Sequence, residues 1–219
     1  MKTNYKRLLL PFLLLVICTL SSCIGLSMDI QMNRNGSGRL TLEYRLSRML
    51  ENIGKLDGNE SMPSIPVGRA DFERTTERIE GLKIVSFSSR NESKDTVYKA
   101  VLDFDNEKAL LEFLDPAKTR ASFTKNGQGG SLNITIIDTI PVYDPDMLEL
   151  ISILSHEYDF TISLSSPSNS TLTILDSKGN TLSKVPSAKV VSLGKKVSFT
   201  IGIMDLLNLK DGLGLIFNW

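Results

Sequence analysis

Leu26-Ser27-Met28-Asp29-Ile30-Gln31-Met32-Asn33-Arg34-Asn35-Gly36-Ser37-Gly38-Arg39-Leu40-Thr41-Leu42-Glu43-Tyr44-Arg45-Leu46 is the stretch that decides the fold. Leu26, Met28, Ile30 and Met32 alternate with Ser27, Asp29 and Gln31, and Leu40, Leu42, Tyr44 and Leu46 alternate with Thr41, Glu43 and Arg45. A period of two sends successive side chains to opposite faces of a strand, so each run has one apolar and one polar face. Between them, Asn33 to Gly38 is a cluster of turn formers, and Asn35-Gly36 suits backbone with φ > 0. The stretch predicts an antiparallel hairpin with one face buried.

The same grammar continues toward the C-terminus. Ser47 to Leu56 has helical spacing in Leu46, Met49, Leu50 and Ile53, and Asp57 to Gly68 reads as a proline-bearing loop. Arg69 to Glu80 is predicted helical, with Phe72, Thr76 and Ile79 on one side and Gly81 as its stop. Leu82 to Ser88 and Thr96 to Phe104 read as strands, Asn106 to Leu114 as a short helix, and Ala121 to Lys125 with Leu132 to Ile137 as a second hairpin. Asp144 to Tyr158 carries the broadest apolar helical face, with Asp144 as cap and Pro145 at the first helical position. Strands are expected at Phe160 to Leu164, Thr171 to Leu175, Val190 to Val191 and Val197 to Ile203. Leu213 to Trp219 is expected as a last strand. The fold class is therefore α+β: a mainly antiparallel sheet built from hairpins, with three or four helices packed on it. Residues 23–140 read as an α+β core domain, and 141–219 as a helix plus β-rich part continuous with it. Pro141 to Pro145 marks the alternative boundary.

Upstream of the hairpin the grammar changes. Lys2, Lys6 and Arg7 precede the apolar run Leu8 to Leu20, which gives way to Ser21-Ser22-Cys23. A basic start, a short apolar middle and small residues at the end read as a secretory signal peptide covering residues 1–22. The run falls short of the roughly 20 residues that span a bilayer. Its ending resembles the bacterial lipobox, with Leu20 at the third position before the cysteine. That resemblance implies cleavage between Ser22 and Cys23 and acylation, palmitate included, of the Cys23 thiol. The membrane would then be a partner through acyl chains on Cys23, with the hairpin held close to it. Ile24 follows the cysteine, where some bacteria use Asp to retain lipoproteins at the inner membrane. The outer membrane is therefore favoured in a cell with two.

Composition narrows the chemistry. Hydrophobic residues at 41% and charged residues at 23% are ordinary for a globular chain, and the formal charge is zero over 219 residues. Losing the basic leader leaves a slightly acidic protein, with no footprint for nucleic acid. Cys18 and Cys23 are the two cysteines, one in the leader and one acylated, so neither a disulfide nor a thiol nucleophile is expected. His156 is the single histidine and reads as a surface or capping residue at the end of its helix. No histidine pair or HExxH offers a metal site, and no Gly-x-Ser-x-Gly elbow offers a nucleophile. Asp103, Asp105 and Glu107 place oxygens at alternate positions, as a calcium loop would, but Asp105 or Asn106 also sits where a helix needs its cap. Asp144-Pro145-Asp146 has the same explanation. Gly36 and Gly38, and Gly127, Gly129 and Gly130, join strand to strand and so read as hairpin turns, not phosphate cradles. Ile203, Met204, Leu206, Leu207 and Leu209 read as a core helix, with Asp205 opposing membrane insertion. No catalytic, cofactor-binding or metal-ligating residue is therefore expected.

Around the lipobox cysteine, the strand Ser27 to Met32, the turn Asn35-Gly36-Ser37-Gly38 and the strand Leu40 to Leu46, the chain resembles the LppM-type lipoprotein domain. Arg69 to Gly81, Leu82 to Ser88 and Val101 to Phe104 continue the likeness loosely, over roughly residues 23–140. The resemblance implies an α+β domain associated with envelope lipids. The expected function is a lipid-anchored cell-envelope protein with a non-catalytic binding or assembly role, its partner an envelope protein or a lipid. A carrier or chaperone for an apolar ligand is the first alternative, with Met49, Leu50 and Ile53 lining a groove. A hydrolase with dispersed carboxylates is the second.

Overall fold

The computed structural model describes residues 24–47, 68–127, 129–138 and 158–219. The expected signal peptide, Ser22 and Cys23 lie outside these, as do the rest of the helix expected over Ser47 to Leu56, the Pro141–Pro145 boundary and His156. The Asp144 helix lies outside them too, except for its expected last residue, Tyr158, which precedes a strand.

The opening hairpin forms as its alternation requires. Strands β1 (Ile24–Met32) and β2 (Gly38–Ser47) pair antiparallel from Ile24↔Leu46 to Met32↔Gly38. Their apolar set lands on one face, where Ile30 and Leu40 are fully buried. Asn35 Oδ1 accepts from the Ser37 N–H and hydroxyl, and Gly36 takes φ +87°, which closes the turn. Ser47 is the end of β2, not the start of a helix, because its pairing with Asp95 extends the ladder.

Helix α1 (Arg69–Arg78) follows, begun by Asp71, whose carboxylate accepts the Gly68 N–H. Strands β3 (Leu82–Asn91) and β4 (Asp95–Phe104) come next, both longer than their apolar runs suggested. Helix α2 (Glu107–Leu114) leads to the hairpin β5 (Ala121–Asn126) and β6 (Gly129–Ile137). The C-terminal stretch adds β7 (Asp159–Ser165), β8 (Thr171–Leu175), β9 (Thr181–Leu182), β10 (Lys189–Leu193), β11 (Lys196–Gly202) and β12 (Leu213–Asn218). A short helix, α3 (Ile203–Leu207), separates the last two. It begins at Ile203, which the strand alternation had claimed for β11.

Two sheets result. One has seven strands in the order β10-β11-β7-β1-β2-β4-β3, and the other five in the order β5-β6-β12-β8-β9. The expectation of an antiparallel sheet is corrected at one place, which makes the larger sheet mixed. β1 and β7 run parallel, Leu26↔Phe160 to Gln31↔Ser165. No hairpin links these two strands, and the long chain between them leaves either direction open. The three described helices pack on the sheets: α1 against β3, α2 against β4 and β5, α3 against β7 and β11.

The core lies on one face of the seven-stranded sheet. Ile30, Leu40, Leu102, Ile162 and Phe199 from that face join Leu110 of α2 and Leu132, Leu215 and Phe217 of the smaller sheet in one buried cluster. Under α1, Phe72 meets Phe87 at 5.5 Å, and Tyr98 stacks on Tyr44 at 5.0 Å. Burial raises the Tyr44 hydroxyl pKa well above its ordinary value, helped by Tyr98 and Asp71, so it stays protonated at any physiological pH.

Candidate functional site

The opposite face of the seven-stranded sheet carries the polar half of the β1, β2, β7 and β11 alternations, with Val97 and Val101 of β4 and Val191 and Leu193 of β10 as its apolar members. The registers align it into rows that cross all seven strands. One row reads Leu193, Lys196, Ser165, Gln31, Arg39, Asp103, Lys83 from β10 to β3. The next reads Val191, Ser198, Ser163, Asp29, Thr41, Val101, Ser86. Neither row contains a histidine or an aromatic ring. Hydroxyls and ion pairs dominate its interior, while apolar side chains gather at the β10 end.

A cleft of about 370 Å³ opens where the β1–β2 turn meets the end of β4, lined by Gln31, Asn33, Ser37, Arg39, Asp103 and Asp105. Its charges are already matched. Arg39 grips Asp103 through two hydrogen bonds, of 2.7 and 3.0 Å, and Lys83 donates to Asp105 at 3.3 Å. The Arg39 contact holds the Asp103 carboxyl below the usual carboxylate range. The carboxylate cluster noted in the sequence is thus divided: Asp103 and Asp105 face cations, and Glu107 sits in the first turn of α2. Asn106, rather than Asp105, caps that helix, its Oδ1 accepting from the Ala109 N–H at 3.0 Å. Among the described residues, no three His, Cys, Asp or Glu side chains group in a way that would hold a metal ion.

Side chains the sequence reading did not single out lie at the far end of the sheet. β10 pairs with β11 on one side and with no described strand on the other. All five of its residues are exposed, including Val190 at 48%, Val191 at 49% and Leu193 at 74%. Gly194, with φ +62°, turns the chain into Lys195 and Lys196. Asp29 of β1 pairs with Lys196 across β7. Neither Lys189 nor Lys195 has a carboxylate within ion-pair distance among the described residues. The signal for this edge was present in Val190-Val191, read only as a short strand.

The two edges of this sheet differ. β3, at the opposite edge, has a bulge between Ile84 and Ser86. It carries Lys83 and Arg90, paired with Asp105 and Glu92. Bulges and charges are how natural sheets blunt an edge against further pairing. β10 has neither a bulge nor a proline, and Lys189 at its start is its one charge; Val85 in the β3 bulge is exposed as well.

The C-terminal residue is held by the second glycine cluster. Gly130 exchanges backbone hydrogen bonds with Trp219, both at 3.0 Å, and the Trp219 ring lies 5.7 Å from Phe123. A side chain at Gly129 would overlap the Trp219 carbonyl. These glycines therefore seat β12 as well as turning the hairpin.

No family model matches the chain, and no curated protein matches it. Among solved structures the chain is similar to the folded domain of the Mycobacterium tuberculosis protein LppM, determined by NMR. The two share 10% identity over 90% of this chain and 88% of that one, with a TM-score of 0.45. LppM gives its name to the family that the first hairpin suggested, and at this score the functional reading does not rest on it.

Proposed function

We propose that the protein is a lipid-anchored component of a bacterial cell envelope that acts by binding, without catalysis. The observation that carries this reading is the open apolar edge of β10, where Val190, Val191 and Leu193 stand exposed on consecutive and alternate positions of one strand. Exposed apolar side chains clustered at one place mark interaction sites more often than singly scattered ones. The anchor comes from Leu20-Ser21-Ser22-Cys23, and β1 begins at Ile24.

The alternatives call for different features. A hydrolase with two carboxylates needs them facing each other across a cleft, and Asp103 and Asp105 instead face Arg39 and Lys83. A carrier needs an apolar cavity, and the cleft by the β1–β2 turn is lined mainly by polar groups.

Photo-crosslinking in intact cells tests the reading. A photoreactive residue at Val191 or Leu193 is expected to give discrete adducts in the membrane fraction, and one at Ser122 on β5 none. Equal or absent labelling at the three positions overturns the binding role. Cys23→Ala is expected to abolish incorporation of labelled fatty acid and to release the protein from membranes. Undiminished labelling would remove the anchor from the proposal.

A further inference from the structure

We propose that β10 accepts an extended, acidic segment of a partner protein as an additional strand of the seven-stranded sheet. This rests on the binding reading above and names the chemistry of what is bound. Three features of the edge point to it: its unpaired backbone, its exposed apolar side chains and its charge.

The backbone comes first. An edge strand presents a row of unpaired N–H and C=O groups, which an extended peptide can satisfy by pairing. β10 pairs with β11 along one flank, so alternate residues of its five turn their N–H and C=O groups to the other flank, where no described strand lies, with no proline to interrupt them and every residue exposed. Alternation then sets the side-chain contacts. Val191 and Leu193 point to the outward face and Val190 to the core side, opposite Phe199 in the ladder. An added strand would therefore cover apolar groups on both faces.

Charge selects the occupant. From Ser177 to Met204 the chain carries Lys178, Lys184, Lys189, Lys195 and Lys196 and no Asp or Glu, although acidic and basic residues balance over the whole chain. Lys189 and Lys195 bracket the apolar part of β10, both exposed. Like charges placed opposite each other across a strand pair are destabilising, and opposite charges favourable. That argues against a second copy of this chain. Self-pairing centred on Val191 would bring each Lys189 beside the other copy's Lys195-Lys196 turn. Centred on Val190, it would set each Lys189 opposite the other copy's Val191 and diagonal to its Lys189. A segment with apolar residues between Asp or Glu meets both requirements at once.

The test uses the mature chain, residues 23–219, without its acyl groups. Its probes are two seven-residue peptides that alternate valine and threonine, one ending in aspartates and the other in lysines. The acidic peptide is expected to bind, more weakly as salt is raised, and to slow hydrogen exchange in the amides of 189–193. The basic peptide is expected to bind at least about tenfold more weakly. Lys189→Glu with Lys195→Glu should reverse that preference, and both side chains are exposed, so folding should survive. Backbone N-methylation of the acidic peptide should abolish binding without touching the protein.

Equal affinity for the two peptides, no binding, or protection away from β10 overturns the proposal. Protection of β10 by anionic phosphatidylglycerol vesicles alone would assign the edge to a bilayer. Protection accompanying a concentration-dependent dimer would assign it to a second copy. If the peptides fail while Val191 and Leu193 still crosslink in cells, the strand-pairing partner falls and the binding role stands.

Discussion

Gly38 shows how much one residue type can carry. It opens β2 opposite Met32 on one side and Phe104 on the other. A Cβ there would lie 2.0 Å from the Gln31 carbonyl oxygen and 2.4 Å from the Phe104 ring. The backbone of β1 and a core ring must therefore move to admit alanine. Overpacking of this kind costs about 1–3 kcal/mol, so Gly38→Ala is expected to lower the denaturant midpoint substantially. Gly68→Ala is the control, since its nearest neighbour would be 3.7 Å away. The reading of Gly36 and Gly38 as turn formers was right for Gly36 and incomplete for Gly38, because a close approach between strands leaves no local mark. Asp115 sets a second residue-scale expectation. Burial pushes its pKa up, but the backbone N–H groups of Arg120, Ala121, Thr119 and Lys118 outweigh this and hold it below the ordinary value. A depressed carboxylate stabilises the fold above its unfolded value, near 4, and that contribution is lost as pH falls through the folded value. The thermal midpoint should therefore drop on acidification below about pH 4, and Asp115→Asn should flatten that drop.

Elements were legible wherever alternation or capping is local. Asn106 before the apolar Ala109-Leu110-Leu111 pattern marks the start of α2, and the hydrogen bond to Ala109 N–H shows why. Asn106→Ala is expected to cost about 1 kcal/mol, read as a shift in denaturant midpoint without a change in its slope. Partnership between elements was not legible in the same way. Alternation in Met28-Asp29-Ile30 tells which face is buried but not which strand lies alongside. β7, the parallel neighbour of β1, begins more than a hundred residues later in the chain. The candidate site was hidden for the same reason. Lys196, Gln31, Arg39 and Asp103 share a row only through pairings distant in sequence, and Val190-Val191 looks like any short strand until its outer side is seen to be open. The proposed anchor is the opposite case: the expectation at Cys23 rests on its immediate neighbours alone and lies outside the described residues.

At the scale of the molecule, the two halves of the chain build both sheets together. β7 and β11 from the C-terminal stretch extend the large sheet beside β1, and β12 lies between β6 and β8 in the small one. Ile162, Leu164, Val197, Phe199, Ile201, Leu213, Leu215 and Phe217 are each 1% exposed or less, and all come from residues 141–219. Burying one such side chain is worth about 1.5–3 kcal/mol. The apolar surface that residues 23–140 would uncover without these partners thus represents a loss on the order of 10 kcal/mol or more, comparable with the whole stability of a domain. The fragment would also turn β1 into a new edge, with its whole flank unpaired. A chain of residues 23–140 is therefore expected to lack a cooperative unfolding transition and dispersed amide resonances, and to aggregate. Co-expression with residues 141–219 should restore both properties, because the partner strands then arrive in trans. A fragment 23–140 that melts cooperatively alone would show that the C-terminal strands dock onto a finished core instead of completing it.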